Sequence, residues 1–118
     1  MKLLRSFCAL AFLVAASGAA IAHAIVLSST PSADAILKGA ETAVEIRFNS
    51  RIDAGRSYLK LFKIDGDAVA LPLADSSSED TLKARATGLT PGHYRLHWQT
   101  LSPDGHISQG DIPFDVSR

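Results

Sequence analysis

Tyr94-Arg95-Leu96-His97-Trp98-Gln99 is the stretch on which the reading of this chain turns. Tyr94, Leu96 and Trp98 occupy every second position, with Arg95, His97 and Gln99 between them. A two-residue period with apolar groups on one side marks a half-buried β-strand, whose side chains point alternately to opposite faces. Val44-Glu45-Ile46-Arg47-Phe48 repeats the pattern upstream, and Ile112-Pro113-Phe114-Asp115-Val116 repeats it downstream. Weaker runs of the same character cover residues 25–28, 58–64, 69–73 and 81–86. Turn chemistry separates them: Thr30-Pro31-Ser32, Asp65-Gly66-Asp67 and Thr90-Pro91-Gly92 all carry residues that favour tight turns. Residues 76–80 read as a solvated loop, and residues 33–37 as one short turn of helix. No sustained helical period or internal repeat is present. The pattern predicts an all-β domain, a seven-stranded antiparallel Greek-key β-sandwich or barrel of immunoglobulin- or cupredoxin-like type.

Working outward, the chain has 118 residues with 12 basic and 12 acidic side chains. That length accommodates one domain and excludes an enzyme with a separate cofactor domain. The balanced charge, without a basic stripe, argues against nucleic-acid binding. The first residues read as a secretory signal. Lys2 and Arg5 precede an apolar run from Phe7 to Ala16, and Ala20-Ile21-Ala22 forms a small-x-small cleavage site. Even extended to Ala22, the apolar stretch is interrupted by Ser17 and Gly18 and falls short of the about 20 residues a spanning helix needs. Cys8 lies at the start of the run, where a lipoprotein cysteine would not. Cleavage after Ala22 divides the chain into a signal peptide, 1–22, and an exported domain, 23–118. The exported domain loses Met1 and Cys8, the only sulfur-bearing residues. It therefore has no disulfide, thiolate or thioether chemistry, and its stability must rest on a β core or a bound metal.

The four histidines are His23, His93, His97 and His106. There is no G-x-S-x-G elbow, no H-E-x-x-H and no phosphate-cradling glycine loop, so hydrolytic catalysis gets little support. His23 becomes the first residue after cleavage. Its α-amine and imidazole Nδ1 can then chelate one metal ion, although a terminal histidine also arises by chance. Asp104-Gly105-His106 offers an oxygen and a nitrogen that can face one side of an extended segment. The same triplet reads equally as a tight turn in which aspartate caps the backbone and glycine takes a positive φ. The loop holding it is expected over residues 102–109. His93 and His97 are out of phase with Tyr94, Leu96 and Trp98, which predicts ordinary surface histidines, while Trp98 is a core anchor.

Taken together, these segments resemble the CopC family of exported copper-binding proteins. His23-Ala24 with Leu27-Ser28-Ser29-Thr30-Pro31 and Ala33 matches the mature start of that family, and Val44-x-Ile46-x-Phe48 its second strand. The most specific match is Gly92-x-Tyr94-Arg95-Leu96-x-Trp98, then Ser102-x-Asp104-Gly105-His106, Gly110 and Phe114-x-Val116. The resemblance implies a periplasmic Greek-key sandwich that binds one Cu(II) per mature chain through His23, Asp104 and His106. It also implies a role in copper resistance or homeostasis, with a CopD-type inner-membrane protein as partner. Two departures stand out. The exported domain has no methionine for the Cu(I) site some relatives carry, and Phe48-Asn49-Ser50 lacks the glutamate the family tends to place there.

The donor chemistry agrees. An amine, two imidazoles and a carboxylate suit tetragonal Cu(II), whereas Cu(I) prefers soft sulfur. Zinc accepts the same ligands, but copper stands higher in the divalent affinity order. The expected function is sequestration or transfer of copper by a monomer, without catalysis. The alternative is a histidine-brace copper oxidase, which would also begin at a terminal histidine.

Overall fold

The computed structural model describes residues 23–75 and 77–118, so the expected signal peptide lies outside the described residues. Eight strands run through the described residues: β1 (Val26–Thr30), β2 (Ala35–Lys38), β3 (Thr42–Phe48), β4 (Tyr58–Lys63), β5 (Ala68–Leu71), β6 (Thr81–Ala86), β7 (Gly92–Leu101) and β8 (Ile107–Ser117). A 3-10 turn, Ala54–Arg56, precedes β4. The strands form a three-stranded sheet in the order β1-β3-β6 and a five-stranded sheet in the order β2-β8-β7-β4-β5. The chain passes repeatedly from one sheet to the other, as a Greek-key sandwich requires.

The alternation read from the sequence sets which side of each strand faces the partner sheet. Val44, Ile46 and Phe48 of β3 turn inward, as do Tyr94, Leu96 and Trp98 of β7 and Ile112, Phe114 and Val116 of β8. Ile46, Leu82 and Leu96 have no exposed surface at all. Phe48 meets Trp98 across the sandwich edge-on at 5.0 Å, and Tyr94 stacks on Phe114 at 5.3 Å. The Tyr94 hydroxyl accepts the Thr90 N–H and donates to the Thr90 carbonyl, both at 3.0 Å, a tyrosine corner that ties the turn before β7 to the core. Opposite Trp98 in the β7–β8 ladder stands Gly110. A Cβ there would lie 2.7 Å from Trp98 Cζ2, so the indole ring lies against bare backbone.

Three expectations are corrected. Residues 33–37 do not form a helical turn. Asp34 takes a left-handed φ of 64° and gives its N–H to the Pro113 carbonyl at 2.7 Å. The chain then continues as β2, parallel to β8, with Ala35 paired to Phe114 and Lys38 to Ser117. So short a helix is marginal in water, whereas the open edge of β8 supplies backbone partners. The strand count is therefore eight among the described residues, and one pairing is parallel. The loop expected over residues 102–109 also contracts, because Ile107, Ser108 and Gln109 pair with Leu101, Thr100 and Gln99.

Candidate metal centre

The long β7–β8 hairpin closes at one end of the sandwich through residues 102–106. The Ser102 N–H donates to the His106 carbonyl at 2.8 Å, and the Gly105 N–H to the Ser102 carbonyl at 2.9 Å. Gly105 sits at φ 91°, which glycine adopts without penalty and which lets the chain reverse within the turn. Asp104 and His106 consequently lie side by side, with Asp104 Oδ2 3.0 Å from His106 Nδ1. The pair sets a carboxylate oxygen and an imidazole nitrogen, two metal-donor types, next to each other at the tip of the hairpin. Both side chains are solvent-accessible.

Ser102 completes the loop. Its Oγ accepts the His106 N–H at 3.0 Å, and its hydroxyl has the Asp104 carboxylate and, at 3.1 Å, the His106 carbonyl within reach. The Ser102 hydroxyl, and then His106, hold the Asp104 carboxyl down at about 2. Asp104 is thus an anion throughout the physiological range, which suits it to a cation.

His23 lies at this same end and is exposed. The Ala24 N–H donates to Ser108 Oγ on β8 at 3.0 Å, and the Ile25 N–H to Asn49 Oδ1 at 2.8 Å. The Asn49 N–H returns a bond to the Ile25 carbonyl at 3.0 Å. Residues 24 and 25 are therefore clamped to both sheets, β8 on one side and the end of β3 on the other. Ser108 is two residues beyond His106. Asp104 and His106 are brought into contact, but His23 does not join them. Among the described residues, no group of three or more His, Cys, Asp or Glu side chains is close enough to hold a metal ion. In the chain as translated, the His23 nitrogen is an amide bonded to Ala22.

Asn49 and Ser50 follow directly on β3. Asn49 serves the arm, and the adjacent Arg51 pairs with Glu79 at 2.7 Å, in a groove that Pro103 also lines.

His93 and His97 stand on the outer face of the five-stranded sheet, as their parity predicts. Each has a cross-strand carboxylate: His93 Nδ1 lies 2.6 Å from Asp115 Oδ1, and His97 Nδ1 2.8 Å from Asp111 Oδ1. His97 departs from an ordinary surface histidine, since only 19% of its side chain is exposed. Tyr58 and Phe62, on the same face of β4, cover it with ring centroids 6.2 and 6.3 Å away. Sequence reasoning also missed the parts played by Ser102, Asn49 and Ser108. A serine two residues ahead of an aspartate was a usable signal for Ser102. Nothing local signalled the other two.

A two-sheet sandwich with an Asp–His pair in its end loop and an N-terminal arm clamped beside it defines a small β-domain with a candidate cation site. The chain belongs to the CopC domain family, whose model matches residues 26–117. It is 33% identical over 113 residues to the copper transport protein CutJ of Bacillus subtilis, covering 92% of this chain and 21% of that protein. The chain thus spans about a fifth of CutJ's length. It is also 28% identical to protein YobA of Escherichia coli over 98 residues, covering 80% and 79% of the two chains. Among solved structures, CopC from Methylosinus trichosporium OB3b is similar with a TM-score of 0.71 and 25% identity, covering 80% of this chain and 94% of that one. The methionine-rich copper resistance protein PcoC of Escherichia coli shares the fold, with a TM-score of 0.63 and 24% identity over 81% and 100% of the two chains.

Proposed function

We propose that this chain is a periplasmic Cu(II)-binding protein that sequesters or hands over copper without catalysing a reaction. One Cu(II) binds per mature chain. Its donors are the His23 amine and imidazole, the Asp104 carboxylate and the His106 imidazole. The observation that carries this reading is the Asp104–His106 pair, which sets a carboxylate beside an imidazole at the end of the sandwich where the N-terminal arm is clamped. CutJ is named a copper transport protein and PcoC a copper resistance protein, which supports copper as the cargo. PcoC is methionine-rich, whereas the single methionine here is Met1. Nitrogen and oxygen donors without sulfur favour Cu(II) over Cu(I). Cleavage after Ala22 delivers a monomeric domain to the periplasm, where a CopD-type membrane protein is its partner in copper homeostasis. No observation favours the histidine-brace oxidase.

The test is a Cu(II) titration of the exported protein, followed by paramagnetic resonance. One equivalent should bind with a tetragonal, nitrogen-rich signal, and Cu(I) should compete poorly against a soft chelator. Tight Cu(I) binding, or no Cu(II) signal at one equivalent, would overturn the reading.

A further inference from the structure

We infer that Ser102 is the positioning residue of the copper site, its hydroxyl tying the Asp104 carboxylate to the His106 backbone so that the two donors stand side by side. The inference deepens the reading above and rests on it. Ser102 Oγ stands among three groups of Asp104 and His106: the Asp104 carboxylate, the His106 N–H at 3.0 Å and the His106 carbonyl at 3.1 Å. One oxygen therefore links the aspartate side chain to the histidine backbone. The backbone closure of the loop does not depend on it, because the Ser102 N–H reaches the His106 carbonyl and the Gly105 N–H reaches the Ser102 carbonyl independently.

That division of labour sets the consequence of removing the hydroxyl. The loop stays closed, but Asp104 Oδ1 loses its partner and the carboxylate turns freely in solvent. Oδ2 is then no longer kept beside the His106 ring. Cu(II) must now order both side chains as it binds. Partners of this kind, which touch a ligand rather than the metal, typically alter metal affinity 10–100-fold. The exposure of the loop, where water can replace part of the bond, places Ser102 near the lower end.

The experiment compares the exported protein, its N-terminus read by mass spectrometry, with Ser102→Thr, Ser102→Val and His106→Ala. Threonine and valine have the same shape and differ only in the hydroxyl. Cu(II) affinity is read by chelator competition, the copper geometry by paramagnetic resonance, and the fold by thermal unfolding without metal. Ser102→Thr should bind within about threefold of the parent, while Ser102→Val should bind about tenfold more weakly with a changed resonance signal. Ser102→Val binding like the parent, while His106→Ala loses copper, overturns this inference and leaves the copper site standing. Equal losses in Ser102→Thr and Ser102→Val also overturn it, because the hydroxyl is then not the cause. If His106→Ala binds copper like the parent, the site itself falls, and this inference with it.

Discussion

Asp104 and His106 touch each other, whereas His93 and His97 each touch a different aspartate on the outer sheet face. The two kinds of pair make the residue-scale test direct. Asp104→Ala and His106→Ala should each weaken Cu(II) binding strongly, while His93→Ala and His97→Ala should leave it near the parent value in chelator competition. Equal losses at all four positions would place the site elsewhere. Acidification gives a second test. Hydrogen bonds from Ser102 and His106 hold the Asp104 carboxyl at about 2, below its ordinary value, so they favour the folded loop above about pH 4 and their contribution is lost as pH falls through about 2. Between pH 7 and 4 Asp104 therefore stays charged. The amine and imidazole donors bind a metal only in their unprotonated forms, so protons compete with Cu(II) for them. Cu(II) affinity should fall steadily below about pH 7, and the Asp104→Asn protein should show the same slope from a lower starting point. A flat profile across that window would exclude the nitrogen donors.

At the scale of elements, the β7–β8 hairpin carries both a large part of the core and the candidate site. Its inner face supplies Tyr94, Leu96, Trp98, Ile112 and Phe114 to the core, and its closing loop holds Asp104 and His106. Gly110 is the position where the two roles meet, because the Trp98 ring occupies the place of a Cβ and Ser108, which anchors the arm, is two residues away. Gly110→Ala should destabilise the fold by about 1–3 kcal/mol, the usual cost of forcing an extra carbon into a packed site. Denaturant unfolding measures this, and an unchanged midpoint would show that the ring has room to shift. The inner strands were legible because every residue in them reports its face by its own polarity. β2 was not, since the short run Ala35–Lys38 is consistent with several local structures until β8 offers it an edge.

At the scale of the whole molecule, the arm before β1 bridges both sheets, so the position of His23 depends on the assembled sandwich. The proposed cleavage after Ala22 would convert the His23 nitrogen from an amide, which offers no comparable donor at neutral pH, into an amine. A protein with one extra residue before His23 should keep its unfolding midpoint and lose much of its Cu(II) affinity. Trp98 is the only tryptophan and is buried in the core, so its fluorescence checks that the fold is intact. Equal affinity in the two forms would remove the N-terminal amine from the site.

From the sequence alone came the two-sheet β architecture, the inward residues of β3, β7 and β8, the family, and the lack of sulfur in residues 23–118. These are readable because a strand's two-residue period is local and each side chain declares its face independently. The tertiary structure alone decided that β2 pairs in parallel with β8, that His97 lies largely covered beside Tyr58 and Phe62, and that Ser108 and Asn49 clamp the arm. Each of these depends on a partner far along the chain, 84 residues away for Ala24 and Ser108. Serine and asparagine satisfy their hydrogen bonds equally well with water, with a turn or with a distant backbone, so their identity carries no address. Only the folded sandwich, by setting which backbone groups stand within about 3 Å of them, selects the partner.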